Sequence, residues 1–335
     1  MRKGLINVSE ESVSVKKQEL MTEGTIWKKI LVFAVPLIIG NLLQQMYSTI
    51  DSIIVGHYVG KSALAAVGSS TSIINLLIAF SQGASVGAGV VISQYMGARD
   101  KKSVHSAVHT AAAVAVLLGL FLTLAGVLMS GQLLVRMQTP DDVINDSTLY
   151  LRVYSAGLVF NVVYNMATGI MNAAGNSKRP LIYLGAASVT NIVLDMLFIA
   201  VGGMGVEGAA IATDVSQAVS CVLAMIYLFR VDADYRISPK DMHINGHMLS
   251  KIIKIGLPTG IQSMVISLSN IIIQSSINSF GSTQMAGFGA YMKVDGFNIL
   301  PVLSISMAVT TFVGQNYGAG RIDRVKKGAA VTVVM

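Results

Sequence analysis

The sequence has little charge and almost no cysteine. Asp, Glu, Lys and Arg make up 12% of its 335 residues, about half the share of an average soluble domain, while 53% of the residues are hydrophobic. With a mean hydropathy of +0.64, this composition excludes an ordinary soluble domain and indicates a polytopic membrane protein. The single cysteine, Cys221, excludes an intramolecular disulfide. Residues 1–25 contain no apolar core, so we expect no cleavable signal peptide.

Apolar runs long enough to cross a hydrocarbon core of about 30 Å recur along the chain. They are expected to be helices, because open strands cannot satisfy their backbone hydrogen bonds in lipid. The predicted spans are 27–56, 62–94, 104–130, 146–172, 180–202, 207–229, 249–279 and 285–316, and a ninth begins near residue 325.

Basic residues concentrate at the N-terminus and in alternate loops between these spans. Together these segments hold 20 of the 24 Lys and Arg residues. The positive-inside rule therefore predicts that the N-terminus is cytoplasmic. Because the basic residues of this +7 chain lie in short loops between apolar spans, the charge does not indicate a nucleic-acid partner.

An internal repeat predicts two lobes. Pro36 and Pro258 each follow a basic helix start, and the segment Gln94-Tyr-Met-Gly97 returns as Gln315-Asn-Tyr-Gly318. The repeat contains six spans, so its copies run parallel and are related by an axis along the membrane normal. We therefore predict an all-α membrane protein with two parallel six-helix lobes, of which roughly the last quarter is missing. The predicted divisions are a cytoplasmic tail (1–25), a first lobe (26–230), a cytoplasmic linker (231–248) and a partial second lobe (249–335).

Polar residues inside the spans converge on one predicted pocket in the first lobe. Counted along their helices, Asp51, Asp195 and Thr213 all reach the outer half of the bilayer. A carboxylate is costly in lipid, so these acids are expected to face a protein interior or a wet cavity and to have a function. Tyr47 and Asn191 lie one helical turn from the two acids, on the same helix faces, as hydrogen-bond partners.

Further polar side chains are predicted to line a cavity that contacts substrate. They are Gln44, Asn161, Asn165, Gln274, Lys293 and Asp295. A structural role is an open alternative for Asn161 and Asn165, because asparagines can hold helices together by hydrogen bonds. Lys293 can instead extend to the membrane surface as an anchor.

Several segments, in the same order, resemble the multidrug and toxic compound extrusion (MATE) transporters. They are PLIIGNLLQQMYSTIDSIIVGHYVG, ALAAVG, SQYMGARD, AAGNSKRP, NIVLDMLFI, GVEGAAIAT and VGQNYGAGR, and the likeness runs from about residue 26 to about residue 330. Tyr47-x3-Asp51 with Asn191-x3-Asp195 and Thr213 resembles the cation-site pattern of the DinF-like prokaryotic branch. Asp214 departs from the family, which usually has an apolar residue there.

This resemblance implies a secondary active exporter and not an enzyme. An inward flux of H⁺ or Na⁺ would drive small organic cations or amphiphilic drugs outward, with no cofactor besides the coupling ion. Asp51 and Asp195 would hold that ion, whether H⁺ or Na⁺, with help from Tyr47, Asn191 and Thr213. The resemblance implies a monomer, in contact with lipids in the plasma (inner) membrane of a prokaryote.

A lipid-linked oligosaccharide flippase of related architecture is the alternative. It would favour a basic cavity that holds a pyrophosphate, whereas here the acids outweigh Lys293. An intramembrane enzyme has no support, because the sequence contains no HExxH pair and no serine placed with a histidine base. A passive channel would not need paired buried acids.

Pro36 lies inside the first span and is predicted to act as a hinge. Proline removes a backbone donor and clashes with the carbonyl one turn earlier, which kinks a helix. We expect Pro36→Ala to straighten the helix and slow transport while expression is unchanged. Transport turnover of the full-length protein in vesicles checks this, and turnover equal to that of the parent would remove Pro36 from the mechanism.

Overall fold

The computed structural model describes residues 20–137, 139, 141, 143–278 and 282–335, and nearly all of this part is helical. The helices are α1 (Ile26–Tyr58), α2 (Lys61–Gly97), α3 (Lys101–Arg136), α4 (Ile144–Ala156), α5 (Leu158–Ala173), α6 (Lys178–Asp195), α7 (Val206–Arg230), α8 (Gly246–Asn278), α9 (Ser282–Gly318) and α10 (Ile322–Val334). A π-helical segment, Met196–Val201, continues α6, and a 3₁₀ turn, Pro239–Asp241, lies between α7 and α8. The predicted all-α membrane architecture is confirmed.

The predicted membrane spans correspond to these helices with one correction. Seven helices of the described residues are long and apolar enough to cross a membrane. The predicted span 146–172 is not one helix, because Gly157 divides it into α4 and α5, which have 13 and 16 residues. At the division the N–H of Gly157 donates to the carbonyl oxygen of Tyr154 at 3.2 Å, a tight turn that interrupts the helical pattern.

The first lobe comprises α1 to α7 and contains the main hydrophobic core. Fully buried side chains from α2, α4 and α5 meet there, among them Ile92, Leu151, Leu158 and Met171. The second lobe is represented by α8, α9 and α10. Both α8 and α9 pack against α2.

The two lobes touch most closely where the internal repeat meets itself. Gly97, at the end of α2, packs against the backbone of Gln315, and Gly318, at the end of α9, packs against the backbone of Gln94. A Cβ atom on either glycine would overlap the facing chain. Because Gln94 corresponds to Gln315 and Gly97 to Gly318, the contact is reciprocal about the pseudo-two-fold axis. We call the face where α1 and α8 begin and α2 and α9 end the basic side.

A second close approach joins α2 to α8 in the half of the molecule nearer the basic side. A Cβ atom on Gly83 would lie 2.6 Å from the carbonyl oxygen of Gly256 and 2.7 Å from the Cα of Gly260. Glycines at such positions let helix backbones approach closely, as small residues do at helix contacts in membranes. The lobe contact is therefore built on backbone surfaces that have no room for side chains.

Helix α1 packs against both lobes. Its first turns contribute Ile30 and Phe33 to a small core with Phe312 of α9, whereas Ile54 and Val55 belong to the core of the first lobe. The segment before α1 is attached to the second lobe, because Gln315 Oε1 accepts a 2.7 Å hydrogen bond from the N–H of Met21. Pro36 lies between these two packing environments, inside a continuous helix. Its role as a hinge stays a prediction.

The contact at Gly97 predicts the effect of a substitution on stability, and Gly68 of the same helix supplies a control. Gly97→Ala should lower the free energy of unfolding by about 1–3 kcal/mol, because the methyl group overlaps the Gln315 backbone. Gly68→Ala should be neutral or slightly stabilising, since a Cβ atom there meets nothing within 4 Å and alanine favours the helix. Thermal unfolding of the purified chains measures both, and equal melting temperatures would contradict the assigned contact.

Candidate functional site

Two carboxyl groups are neighbours inside the first lobe. Asp51 projects from α1 and Asp195 from the last turn of α6, and they are close enough for their charges to interact. Asp51 is 8% exposed and Asp195 is 0% exposed. The structure thus brings together the two acids that the sequence places at one depth.

Several polar atoms around this pair lack a hydrogen-bond partner within the described part of the chain. They are Oδ1 of Asp51, both carboxylate oxygens of Asp195, both amide atoms of Asn191 and Oε1 of Gln217. Each buried polar atom left without a partner costs about 1–3 kcal/mol. Carboxylate and amide oxygens are the ligands that hard cations prefer, and two adjacent carboxyl groups can also share one proton. The residues present therefore fit a bound H⁺ or Na⁺.

The other predicted coupling residues lie on the same three helices. Tyr47 is one turn from Asp51 and interacts with Gln44 of α1 and Gln217 of α7. Thr213 is 8% exposed and lies one turn before Gln217 on α7, while Asn191 is 1% exposed and lies one turn before the acid of α6. Since α1, α6 and α7 pack against one another, these residues lie on three neighbouring helices, and electrostatic contacts link Tyr47, Asp51 and Asp195 directly. A shared coupling role for all five residues stays a prediction.

Two tyrosines of α4 also face this region and were not predicted. Tyr150 lies within electrostatic range of Asp51, and Tyr154 within range of Tyr47. Their rings stack at a centroid distance of 6.2 Å, and both are at most 9% exposed. The signal in the sequence is their spacing of four residues, which puts both hydroxyl groups on one helix face. The phenol groups add hydrogen-bond donors beside the acids.

Asp214 of α7 has a structural partner at the break between α4 and α5. Its carboxylate lies directly against Gly157. A Cβ atom on Gly157 would overlap the same carboxylate, so only glycine fits there. Asp214, which departs from the family pattern, therefore contacts the residue at which the predicted fourth helix divides.

The residues predicted to line a substrate cavity have mixed placements. The amide nitrogen of Asn165 donates to Oδ1 of Asn161 at 2.8 Å and to Oγ of Ser81 at 3.3 Å, so these asparagines join α5 to α2. Gln44 is exposed and Asp295 is half-buried. Gln274 and Lys293 lie in α8 and α9, but their side chains lie outside the described part of the structure. Substrate contact stays a prediction for all of them.

A π-helical segment begins directly after Asp195. Residues Met196–Val201 form it, and the N–H of Gly202 bonds to the carbonyl oxygen of Leu197 at 2.8 Å. Short π-helical segments inside helices are rare and are found frequently at functional sites. This local irregularity next to a buried acid supports a functional role for Asp195.

Comparison with known proteins identifies the family. The MatE family model matches residues 36–197 and 258–335. The chain belongs to the MatE family. Among curated relatives, the probable multidrug resistance protein YpnP of Bacillus subtilis is 32% identical over 304 residues, which cover 91% of this chain and 68% of YpnP. The probable multidrug resistance protein YoeA of the same organism is 29% identical, covering 96% of this chain and 70% of YoeA.

Solved structures of a MOP superfamily transporter and of MATE transporters are similar to this chain. A MOP superfamily transporter from Pyrococcus furiosus has a TM-score of 0.89 and 27% identity, covering 95% of this chain and 70% of that one. A MATE transporter in the straight conformation has a TM-score of 0.88 and 27% identity, covering 95% of this chain and 71% of that one. This MatE protein is therefore a multi-pass membrane protein with the two-lobe MATE architecture.

The unpartnered oxygens of this MatE protein make a prediction about stability. Asp51→Asn and Asp195→Asn should each leave the free energy of unfolding unchanged or raise it by about 1 kcal/mol, because each removes a buried charge that has no counter-charge. The exposed residue Asp232 supplies the control Asp232→Asn, which should change nothing. Thermal unfolding in detergent is the measurement. A clear loss of stability in both buried variants would show that the charges hold the lobe together.

Proposed function

We propose that this protein exports small organic cations or amphiphilic drugs by antiport with H⁺ or Na⁺. The observation that carries the proposal is the buried pair Asp51 and Asp195, in which Oδ1 of Asp51 and both oxygens of Asp195 lack hydrogen-bond donors within the described part of the chain. Membership of the MatE family supports it, as do relatives named as multidrug resistance or multidrug export proteins, including MepA of Staphylococcus aureus at 23% identity. An intramembrane carboxylate without a fixed partner is suited to bind and release a cation.

Ion binding and the lobe arrangement are linked through α1. A proton or Na⁺ at Asp51 halves the negative charge of the carboxyl pair between α1, α6 and α7, which favours tighter packing of these helices. Because the first turns of α1 pack against α9 of the second lobe, a change of packing around Asp51 would be transmitted to the lobe contact. The coupling ion drives this change only if it binds the two lobe arrangements with different affinities.

The lobe contacts favour an outward-facing state. The contacts at Gly97, Gly318, Gly83 and Gly256 all lie in the half nearer the basic side. We infer from the positive-inside rule that the basic side, including the start of α1, is cytoplasmic. Drugs would then be released toward the outside from this state.

The flippase alternative receives no support from the described residues. A pyrophosphate-bearing lipid would need cationic groups in the central cavity. The side chains that lie near Asp51 are instead carboxyl, amide and phenol groups, from Asp195, Gln217, Tyr47 and Tyr150. Such a lining favours cations over anions.

The proposal predicts that gradient-driven export depends on both acids. In the Asp51→Asn, Asp195→Asn double variant, efflux of a cationic dye driven by a pH or Na⁺ gradient should fall to the level of empty vesicles. The reason is that the asparagine side chains at positions 51 and 195 can neither take up a proton nor balance the charge of Na⁺. The measurement is dye efflux from proteoliposomes containing the full-length protein, with each gradient imposed separately.

Two controls make this experiment decisive. Asp232→Asn removes an exposed acid from the linker and should transport like the parent. Asp51→Glu keeps a group that can be protonated and should retain part of the activity. Gradient-driven efflux that survives in the double variant would place the coupling site elsewhere and would contradict the proposal. The gradient that drives the parent identifies the coupling ion.

A further inference from the structure

A cluster of histidine and aspartate side chains lies on the basic side, away from the carboxyl pair. His105 and His109 occupy the first turns of α3, and Asp241 lies in the linker between α7 and α8. One ligand atom from each of the three residues lies within 4.8 Å of the other two. Nε2 of His105 is 3.7 Å from Oδ2 of Asp241, and the two imidazole rings have a centroid distance of 4.0 Å.

Hydrogen bonds fix the tautomer of His109. Its Nδ1 lies 2.7 Å from the carbonyl oxygen of His105, so Nδ1 carries the proton and donates it. Its Nε2 accepts a 2.9 Å hydrogen bond from the N–H of Ser238, so the lone pair points toward the linker. A histidine that donates one ring N–H to a backbone carbonyl is oriented as metal-ligating histidines are.

The linker is held against α3, which positions Asp241. Oγ1 of Thr110, next to His109 in sequence, accepts a 3.1 Å hydrogen bond from the N–H of Asn245. On the other side of Asp241, the N–H of Ile237 bonds to the carbonyl oxygen of Leu228 at 2.9 Å, and Ile237 is buried. The backbone on both sides of Asp241 is therefore held in place.

We propose that His105, His109 and Asp241 form a site for a divalent transition-metal ion of the Zn²⁺ type. Two imidazole nitrogens and one carboxylate are a ligand set that suits Zn²⁺. Around a tetrahedral Zn²⁺ with bonds near 2.0–2.1 Å, ligand atoms lie about 3.4 Å apart. The 3.7 Å between His105 Nε2 and Asp241 Oδ2 is close to this value, and binding would draw the third ligand atom in from within 4.8 Å. The metal takes the place of the Ser238 N–H on Nε2 of His109.

The site would fasten the linker between the lobes to the first lobe. Side chains of His105 and Asp241 are 43% and 53% exposed, so an ion from solvent can reach both. His243 packs beside the cluster, because its ring stacks on His109 at 6.5 Å and its Nδ1 is 2.7 Å from the carbonyl oxygen of Asp241. The proposal concerns this surface cluster alone and does not depend on the coupling ion.

The test is calorimetric titration of the full-length, metal-stripped protein in detergent with Zn²⁺. The parent should bind one Zn²⁺ per chain and should not bind Mg²⁺ at the same concentrations. His105→Ala and Asp241→Asn should each weaken Zn²⁺ binding by about tenfold or more. His247→Ala removes an exposed histidine at the start of α8 and should bind Zn²⁺ like the parent.

Hydrogen exchange provides a second measurement that does not rely on affinity alone. In the parent, Zn²⁺ should slow amide exchange in residues 232–245, and it should not do so in the His105→Ala and Asp241→Asn variants. Because both altered side chains are partly exposed, these variants should fold. Absence of stoichiometric Zn²⁺ binding by the parent, or affinity and exchange that are the same in the parent and in both variants, would overturn the proposal.

Discussion

A buried carboxylate loses its hydration, and the protein must replace it with hydrogen bonds, a counter-charge or a proton. Asp195 is fully buried, and neither of its oxygens has a hydrogen-bond partner in the described structure, while Asp51 lies beside it on another helix. The surrounding helices supply amides and phenols but no described cationic side chain at the pair. The proposed exchangeable cation or proton would meet this requirement, and the proposed coupling depends on this constraint.

The lobe contact converts that local packing into a global arrangement. Reciprocal contacts of Gly97 and Gly318 leave no space for side chains, so the lobes either fit closely on the basic side or separate. Such tightly packed interfaces tend to have discrete arrangements and are not continuously deformable. Helix α1 begins on the second lobe and ends in the core of the first, which makes it the direct mechanical connection between the acid pair and this contact.

Features that follow from local pattern were predictable, and features that depend on distant partners were not. The helices, the repeat of Gln94 and Gln315 and the common depth of the two acids follow from hydropathy, spacing and residue count. The break at Gly157 was not predictable, because it depends on the carboxylate of Asp214, which lies far along the chain. The histidine cluster likewise needs Asp241, which only folding brings to α3. The asparagines of α5 show a further limit of sequence analysis. The same polar stripe is expected whether its side chains face a cavity or bond to a neighbouring helix, as Asn165 does to Ser81 of α2.

The most direct test of the account is whether the ion at the acid pair controls the separation of the lobes. Spin labels at Tyr58 of α1 and Ile272 of α8, which are 51% and 67% exposed, would report the distance between the lobes on the side opposite the basic side in a chain whose Cys221 is replaced by alanine. In the parent, the distance distribution should shift between high and low concentrations of the coupling ion. In the Asp51→Asn, Asp195→Asn double variant it should stay fixed, and an equal shift in that variant would contradict the account.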